Sequence, residues 1–255
     1  MKPAYEERYL AIEETQWWCK ARREMVLQLI RQSTPSVESR VLEIGCSGGV
    51  LLQQLAGSGY ANVYGIDISE AAVNAAHARG LENVSVFDAS TLPFPDESFD
   101  LVVASDVLEH IEKAIGALRD WRRVLAPAGK LIVFVPAFRF LWSSHDEANR
   151  HFRRYSGRQL RAELAQAGFK VERLSYWNAL LTLPGIALKM GEKLAGRSSR
   201  ETDTGGLVQP PAPFNWLLHG VISVENAILR YANLPFGTSV FAVATIDRAS
   251  SRTRE

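Results

Sequence analysis

The sequence predicts an α/β fold in which a largely parallel sheet is doubly wound by helices on both faces. Apolar runs near 40–44, 62–66, 84–87, 100–104 and 130–135 alternate with stretches of helical spacing near 49–57, 69–79 and 112–126. Such alternation marks strands that run parallel because a crossover helix lies between them. A glycine-rich turn, Gly45-Cys-Ser-Gly-Gly49, follows the first run and opens the first crossover helix. Glycines there let the backbone approach a ligand and aim N–H groups at it from a helix N-terminus. In an open sheet of this kind a ligand sits beyond the carboxyl ends of the strands, where Gly45, Asp67, Asp88 and Asp106 all fall.

The elements follow in order. Residues 5–32 place Ile12, Trp17-Trp18, Met25, Val26, Leu29 and Ile30 mostly on one side, and Pro35 closes the segment, so residues 1–38 are expected to form an N-terminal helical cap. The Trp pair has two readings, packing against the sheet and a lid over the site. Residues 39–176 form the core. Within it 156–168 reads as a helix with Ser156 as cap and Gly168 as stop, and Phe169 to Tyr176 as a sixth strand. Val240 to Ile246 is a further β-rich run within a final segment, 239–255. Between them, residues 177–238 must form an insertion. Leu180 to Leu194 is apolar with Lys189 and Lys193, Gly196 to Pro213 is rich in Ser, Gly, Pro and charge and is expected to be mobile, and Phe214 to Tyr231 has helical spacing.

Composition narrows the class. At 255 residues and 47% hydrophobic, the chain can fill one α/β core with an appendage. Its 29 Lys and Arg against 28 Asp and Glu leave a net charge of +1, so no nucleic-acid partner is expected. Cys19 and Cys46 are far apart and lack metal-ligand spacing, which suits a reducing compartment. The first apolar run is broken by Glu13, Glu14 and Lys20, and no run reaches the length of a membrane span. A cytoplasmic enzyme is expected. The apolar, aromatic and basic composition of Trp177 to Lys193 and Phe214 to Arg230 leaves peripheral membrane contact open beside plain core packing.

Asp67 ends the second strand, where a carboxylate can accept both hydroxyls of a ribose. A nucleoside-containing cofactor follows. A dinucleotide turn needs glycine at its third and sixth places, where this chain has Ser47 and Val50, and the phosphate loop of nucleotide hydrolases needs Lys and Ser or Thr after its last glycine, where Val50 stands. The remaining pattern, Glu43, Gly45, Ser47 and Gly49, resembles motif I of the class I S-adenosylmethionine (SAM) methyltransferases, an acid followed by Gly-x-Gly-x-Gly. It departs at Ser47, which is expected to fit only if the backbone there avoids positive φ. Phe87-Asp88-Ala89, Leu92 to Asp100, Val103 to His110 and Arg123 to Val133 resemble the later motifs in the family's order, over residues 38–136. His151-Phe-Arg-Arg-Tyr-Ser156 resembles a loop of a bacterial subgroup of the type 11 family.

The resemblance implies a Rossmann-like sheet of seven strands, the seventh antiparallel, with the insertion between strands six and seven. It implies a methyltransferase with S-adenosyl-L-methionine as cofactor. The turn, with Cys46, Ser47 and Gly49, would take the methionyl portion and Glu43 would organise it. Asp67 would bind ribose, Ile68 would pack on adenine, Asp88 with Ala89 would meet the exocyclic amine, and Ser105 would line the same pocket. Methyl transfer from a sulfonium is an in-line displacement that needs mainly alignment, with a base where the acceptor is a hydroxyl. His110, His151 and Tyr155 are the candidate catalytic residues. Asp146, Arg153 and Arg154 are the candidate acceptor-binding residues, the arginines for a phosphate or carboxylate, with a structural Arg154 to Asp146 bridge as the alternative. His145 and His151 lack a third clear ligand, so no metal site is expected. The acceptor is expected to be small or lipid-linked. A SAM-binding regulatory or scaffold protein and a peripheral membrane module are the readings from other classes.

Overall fold

A computed structural model describes residues 3–34, 36–182 and 209–247. Its helices are α1 (Pro3–Ile12), α2 (Trp17–Ser33), α3 (Val50–Gly57), α4 (Glu70–Ala78), α5 (Ala114–Arg123), α6 (Ser144–Ala148), α7 (Gly157–Gln166) and α8 (Ala212–Ile228). Seven strands, β1 (Val41–Ile44), β2 (Val63–Asp67), β3 (Val84–Val86), β4 (Phe99–Ser105), β5 (Leu125–Pro136), β6 (Phe169–Trp177) and β7 (Ser239–Ile246), form one sheet. The order is β3-β2-β1-β4-β5-β7-β6. Strands β1 to β5 pair in parallel, and β7 runs antiparallel between β5 and β6. The doubly wound sheet with an antiparallel seventh strand is the fold that the chain adopts.

The central strands are buried on both faces, which is why they read as continuous apolar runs. Alternation along each strand still sorts the side chains into two cores. Leu42, Ile44, Val102, Ala104, Leu131 and Val133 pack with Leu118 and Trp121 of α5 and Leu160 and Leu164 of α7. Val41, Leu101, Val103, Ile132 and Phe134 pack with Met25, Val26, Leu29 and Ile30 of α2, Leu52 and Leu55 of α3, Val73 and Ala76 of α4, and Ile222 of α8.

Two expectations are revised. The N-terminal segment is two helices, not one, because the Gln16 side chain accepts hydrogen bonds from the N–H groups of Trp18 (2.7 Å) and Cys19 (3.1 Å) and starts a new helix there. The helix expected over 112–126 is shorter, since β5 begins at Leu125, which pairs with Phe99 ahead of an irregularity in the ladder. Helix α8, the C-terminal part of the insertion, lies along α2. Asn226 joins them, its Oδ1 accepting from Trp177 Nε1 and its Nδ2 donating to the Ala21 carbonyl, both at 2.9 Å. The buried Glu225 accepts from the N–H groups of Asn178 and Leu180. Pro35, the stretch with Lys189 and Lys193, most of the segment expected to be mobile, and the tail from 248 lie outside the described residues. Among the described residues no helix is long and apolar enough to cross a membrane.

Asn226→Ala strands a buried indole N–H, a loss typically costing about 1–3 kcal/mol, and removes the second donor to the Ala21 carbonyl, which keeps its partner within α2. Urea unfolding is expected to show a drop in stability of that order; an unchanged midpoint would show that the two helices hold together without this residue.

Candidate functional site

The turn after β1 is tied to β2, since the N–H groups of Gly45 and Cys46 both donate to the Ile66 carbonyl, at 2.8 and 3.0 Å. Gly45 has φ +70°, and a Cβ there would lie 2.5 Å from Val107 Cγ2. Glycine is needed because the loop after β4 closes against it. Ser47 adopts φ +48°, contrary to the expectation that it would avoid the left-handed region. Its N–H donates to Asp67 Oδ2 at 2.9 Å and its hydroxyl to Glu13 Oε2 at 2.8 Å, contacts that hold it there. Gly49, at φ +77°, does not line the cleft. A Cβ there would lie 2.5 Å from Leu81 Cδ1 and 2.9 Å from Ala76 Cβ, so its part is the packing of α3 on α4.

The other strand-end residues line one cleft with Gly45, Cys46 and Ser47. Glu43 is buried and faces it with Oε2 free of any hydrogen bond, rather than bonded to the turn. Burial, with Glu13 and Asp67 close by, pushes its carboxyl well above the usual range. Asp67 accepts the Ser69 N–H on Oδ1 (3.0 Å) as well as the Ser47 N–H on Oδ2, so each oxygen keeps a lone pair for a ligand. Burial raises its pKa, against those hydrogen bonds. Ile68 is 73% exposed, Asp88 takes the Ser90 N–H on its own carboxylate at 2.7 Å, and the Ala89 carbonyl accepts from Trp121 Nε1 at 2.8 Å. Ser105 donates to Asp106 Oδ2 at 3.1 Å, and Asp106 itself sits at φ +59° just past β4.

The cleft holds about 1200 Å³, more than the 300–1,000 Å³ of a typical single-ligand pocket. Its roof comes from α1, α2 and the turn between them, through Tyr5, Tyr9, Glu13, Trp17, Trp18 and Arg22. Trp17 and Trp18 line the cleft and also pack against the core, as the packing reading of the pair expects. Arg22 was not foreseen. Its guanidinium carbon lies 4.7 Å from the Trp18 ring centroid, 4.4 Å from that of Phe134 and 4.3 Å from that of Trp177. Nη2 donates to Ser239 Oγ at 2.6 Å, while Nε and Nη1 make no hydrogen bond, Nη1 lying 3.6 Å from Asp106 Oδ2. Burial lowers its pKa, and Asp106 opposes that. The signal in the sequence was an arginine on the same helical stripe as Met25 and Val26.

The polar loop after β5 is organised from within by Asp146, which is fully buried. It caps α6 by accepting the Ser143 N–H at 2.8 Å, receives Arg154 Nε and Nη2 at 2.7 and 2.9 Å, and receives His151 Nδ1 at 2.9 Å. Burial alone would raise its pKa, but His151 and Arg154 outweigh that and hold it well below the usual range. The bridge reading of Arg154 is the one the geometry supports, and Asp146 does not line the cleft. Arg153 donates to the Glu112 carbonyl at 2.6 Å and also lies outside the cleft lining. Tyr155 is 1% exposed, paired by its backbone with Pro136 and Ala137, and packed in the core, too deep to touch a ligand in the cleft. His110 and His151 do line the cleft, their rings edge to face at 4.6 Å, beside the fully buried Glu109. Burial pushes the His110 pKa down to about 3 and that of His145, which hydrogen-bonds Tyr5, to about 4. Burial pushes the Glu109 carboxyl well up. Ligand atoms of Glu109, His110 and His151 lie within 4.8 Å of one another, a convergence missed because His145 was weighed in place of His110.

Residues 42–133, just over a third of the chain, match the family model of a methyltransferase domain. Aklanonic acid methyltransferase DauC of Streptomyces sp. (strain C5) is 38% identical over 122 residues, which cover 44% of this chain and 54% of that protein. Probable tRNA methyltransferase 9B of Bos taurus is 32% identical over 130 residues, 50% of this chain and 26% of that protein. The chain thus spans about half the length, or less, of these curated relatives. One relative's name gives aklanonic acid and the other's tRNA, so the similarity carries no single acceptor. The complex between the Haloferax volcanii Trm112 methyltransferase activator and the putative methyltransferase contains a chain that superposes with a TM-score of 0.61 at 20% identity, over 95% of this chain and 94% of that one, and it shares the fold. The matched methyltransferase-domain stretch implies S-adenosyl-L-methionine as the cofactor.

Removing Arg154 leaves a buried carboxylate short of its cation, a change that typically costs about 3–5 kcal/mol. Arg154→Ala is expected to melt at a markedly lower temperature with SAM affinity retained. Asp146 has a folded-state pKa below its unfolded value of about 3.9, so its contribution is present above that pH and is lost as pH falls below it. Melting temperatures measured from neutral to acid pH are expected to fall more steeply for the parent chain than for Asp146→Asn. Parallel curves would remove this carboxylate from the loop's stability.

Proposed function

We propose that the chain transfers the methyl group of S-adenosyl-L-methionine to a small-molecule acceptor carrying an anionic group. The observation that carries this reading is one cleft with two differently equipped ends. The turn, Glu43 and Asp67 form one end, and the buried Arg22, with two nitrogens free of hydrogen bonds, stands toward the other. The bare backbone at Gly45 leaves room for the methionyl portion beside the turn, and Glu43 suits its ammonium. Asp67 takes the ribose hydroxyls, and Ile68 with Asp88 and Ala89 receives the adenine. The sulfonium then lies near Ser105 and Asp106.

Because the leaving group is a neutral thioether, the protein's main task is to hold donor and acceptor in line. Arg22 takes the part first assigned to Arg153 and Arg154, which are spent on Glu112 and Asp146. Aromatic walls around Arg22 exclude water and strengthen its pairing with a carboxylate, phosphate or phenolate. A hydroxyl acceptor must also lose a proton, and Asp106, Glu109, His110 and His151 face that end. The loop His151 to Ser156 supports it from behind. A lipid-linked acceptor is the narrower variant, favoured by the exposed Phe214, Trp216 and Leu217 of α8, and flotation with liposomes tests it.

Asp67→Ala loses hydrogen bonds to ribose that are typically worth about 1.5–3 kcal/mol each when charge-assisted. Titration calorimetry is therefore expected to show SAM affinity reduced about tenfold or more; unchanged affinity in a folded variant removes the ribose assignment. Tritiated-methyl transfer into fractionated cell extract identifies the acceptor, with Asp67→Ala as the blank. For that acceptor Arg22→Lys, and more strongly Arg22→Met, raises KM while SAM affinity holds. Tight SAM binding with no labelled product across the fractions would instead indicate a SAM-binding regulator.

A further inference from the structure

We propose that Glu109, His110 and His151 form a binding site for one divalent transition-metal ion, best fitted by zinc, at the acceptor end of the cleft. This deepens the methyltransferase reading and rests on it for the ion's role, though not for the ion's binding. One carboxylate and two imidazoles present ligand atoms within 4.8 Å of one another. Ligand atoms on a tetrahedral zinc ion, each about 2.0–2.2 Å from the metal, lie about 3.5 Å apart. Side-chain movements of about one ångström therefore close the set.

Two further observations point to an ion. Glu109 is 0% exposed, yet neither carboxylate oxygen has a hydrogen-bond partner. A buried unpaired carboxylate is costly, and a cation is the partner that removes the cost. His151, in turn, is oriented as a ligand. Asp146 can only accept, so Nδ1–H donates to it at 2.9 Å and the lone pair of Nε2 is left facing Glu109 Oε1 at 4.0 Å. Arg154 pins that carboxylate by two hydrogen bonds, giving the carboxylate–histidine arrangement that fixes tautomer and ring angle behind a metal. The segments are clamped by their backbones, since the Phe152 N–H donates to the Glu109 carbonyl at 2.9 Å.

Two histidines and one carboxylate are a donor set that leaves a fourth position open for a substrate. An acceptor hydroxyl bound there would lose its proton to solvent more readily. Its oxygen then forms the new bond to the methyl carbon as the sulfur–methyl bond breaks and its electron pair stays on sulfur. The ion would so perform the task otherwise asked of a histidine base.

Metal binding is measured on the full chain after treatment with chelator, by equilibrium dialysis with zinc and by the visible spectrum with cobalt(II). One ion per chain is expected, with an intense cobalt spectrum of low coordination number. Glu109→Gln and His151→Gln should lower affinity at least about tenfold, and Asp146→Asn about 10–100-fold through His151, with SAM affinity retained as the check on folding. Less than one equivalent bound, or a weak aqua-like cobalt spectrum of the parent chain, overturns the site whichever variants fold. Binding unchanged in both ligand variants does so too. Methyl transfer that persists in a chain that binds no ion overturns the site and leaves the methyltransferase reading standing, whereas loss of SAM binding in the parent chain strikes that reading instead.

Discussion

The site depends on the reversal of strand order beside β1. From β1 the chain winds outward through β2 to β3, and it then returns to β4 and β5 on the other side. The turns after β1 and β4 therefore depart in opposite directions and leave a crevice above the sheet. Its floor is narrow, as the 2.5 Å between Val107 and a Cβ at Gly45 would show, so the polar groups at the strand ends are displayed upward rather than lost in packing. Asp67 stands at the end of β2, on the rim of the crevice, whereas Glu43 is buried within β1 and faces the crevice with its carboxyl pushed above the usual range.

The crevice is closed from above by parts of the chain remote in sequence. Helix α2 is held by Asn226 of α8, and through α2 the C-terminal part of the insertion bears on the position of Arg22. At the acceptor end Asp146 plays a comparable part. One carboxylate caps α6, fixes Arg154 and aims His151, so a loop rich in polar residues is tied together at its centre, with Asp146 and Arg153 outside the cleft lining and His145, His151 and Arg154 in it. The division is physical: the strand ends supply groups for the cofactor, and packing between distant segments supplies those for the acceptor.

That division also explains what was legible in the sequence. Alternating apolar runs specify parallel strands, and each of Gly45, Asp67, Asp88 and Ser105 follows its own strand, so local order sufficed to place them along one cleft. Gly49 followed the same logic and failed it, because its missing side chain serves contact with α4, which local order does not reveal. Tyr155 and Arg153 looked chemical because they sit in a polar stretch, but the backbone of Tyr155 pairs with β5 and turns its ring into the core. Arg22 was hidden by distance, since its partners come from β5, β6 and β7. The His110 and His151 pair was hidden likewise, on segments that meet only when Phe152 bonds to Glu109.

The most direct measurement is a crystal structure of the chain with S-adenosylhomocysteine, the product of the donor. The account predicts its ribose hydroxyls within hydrogen-bond distance of the Asp67 carboxylate, its amino-acid end at the turn and Glu43, and its sulfur facing the space bounded by Asp106, His110, His151 and Arg22. A ligand whose ribose lies away from Asp67, or whose sulfur is turned from that space, would contradict it.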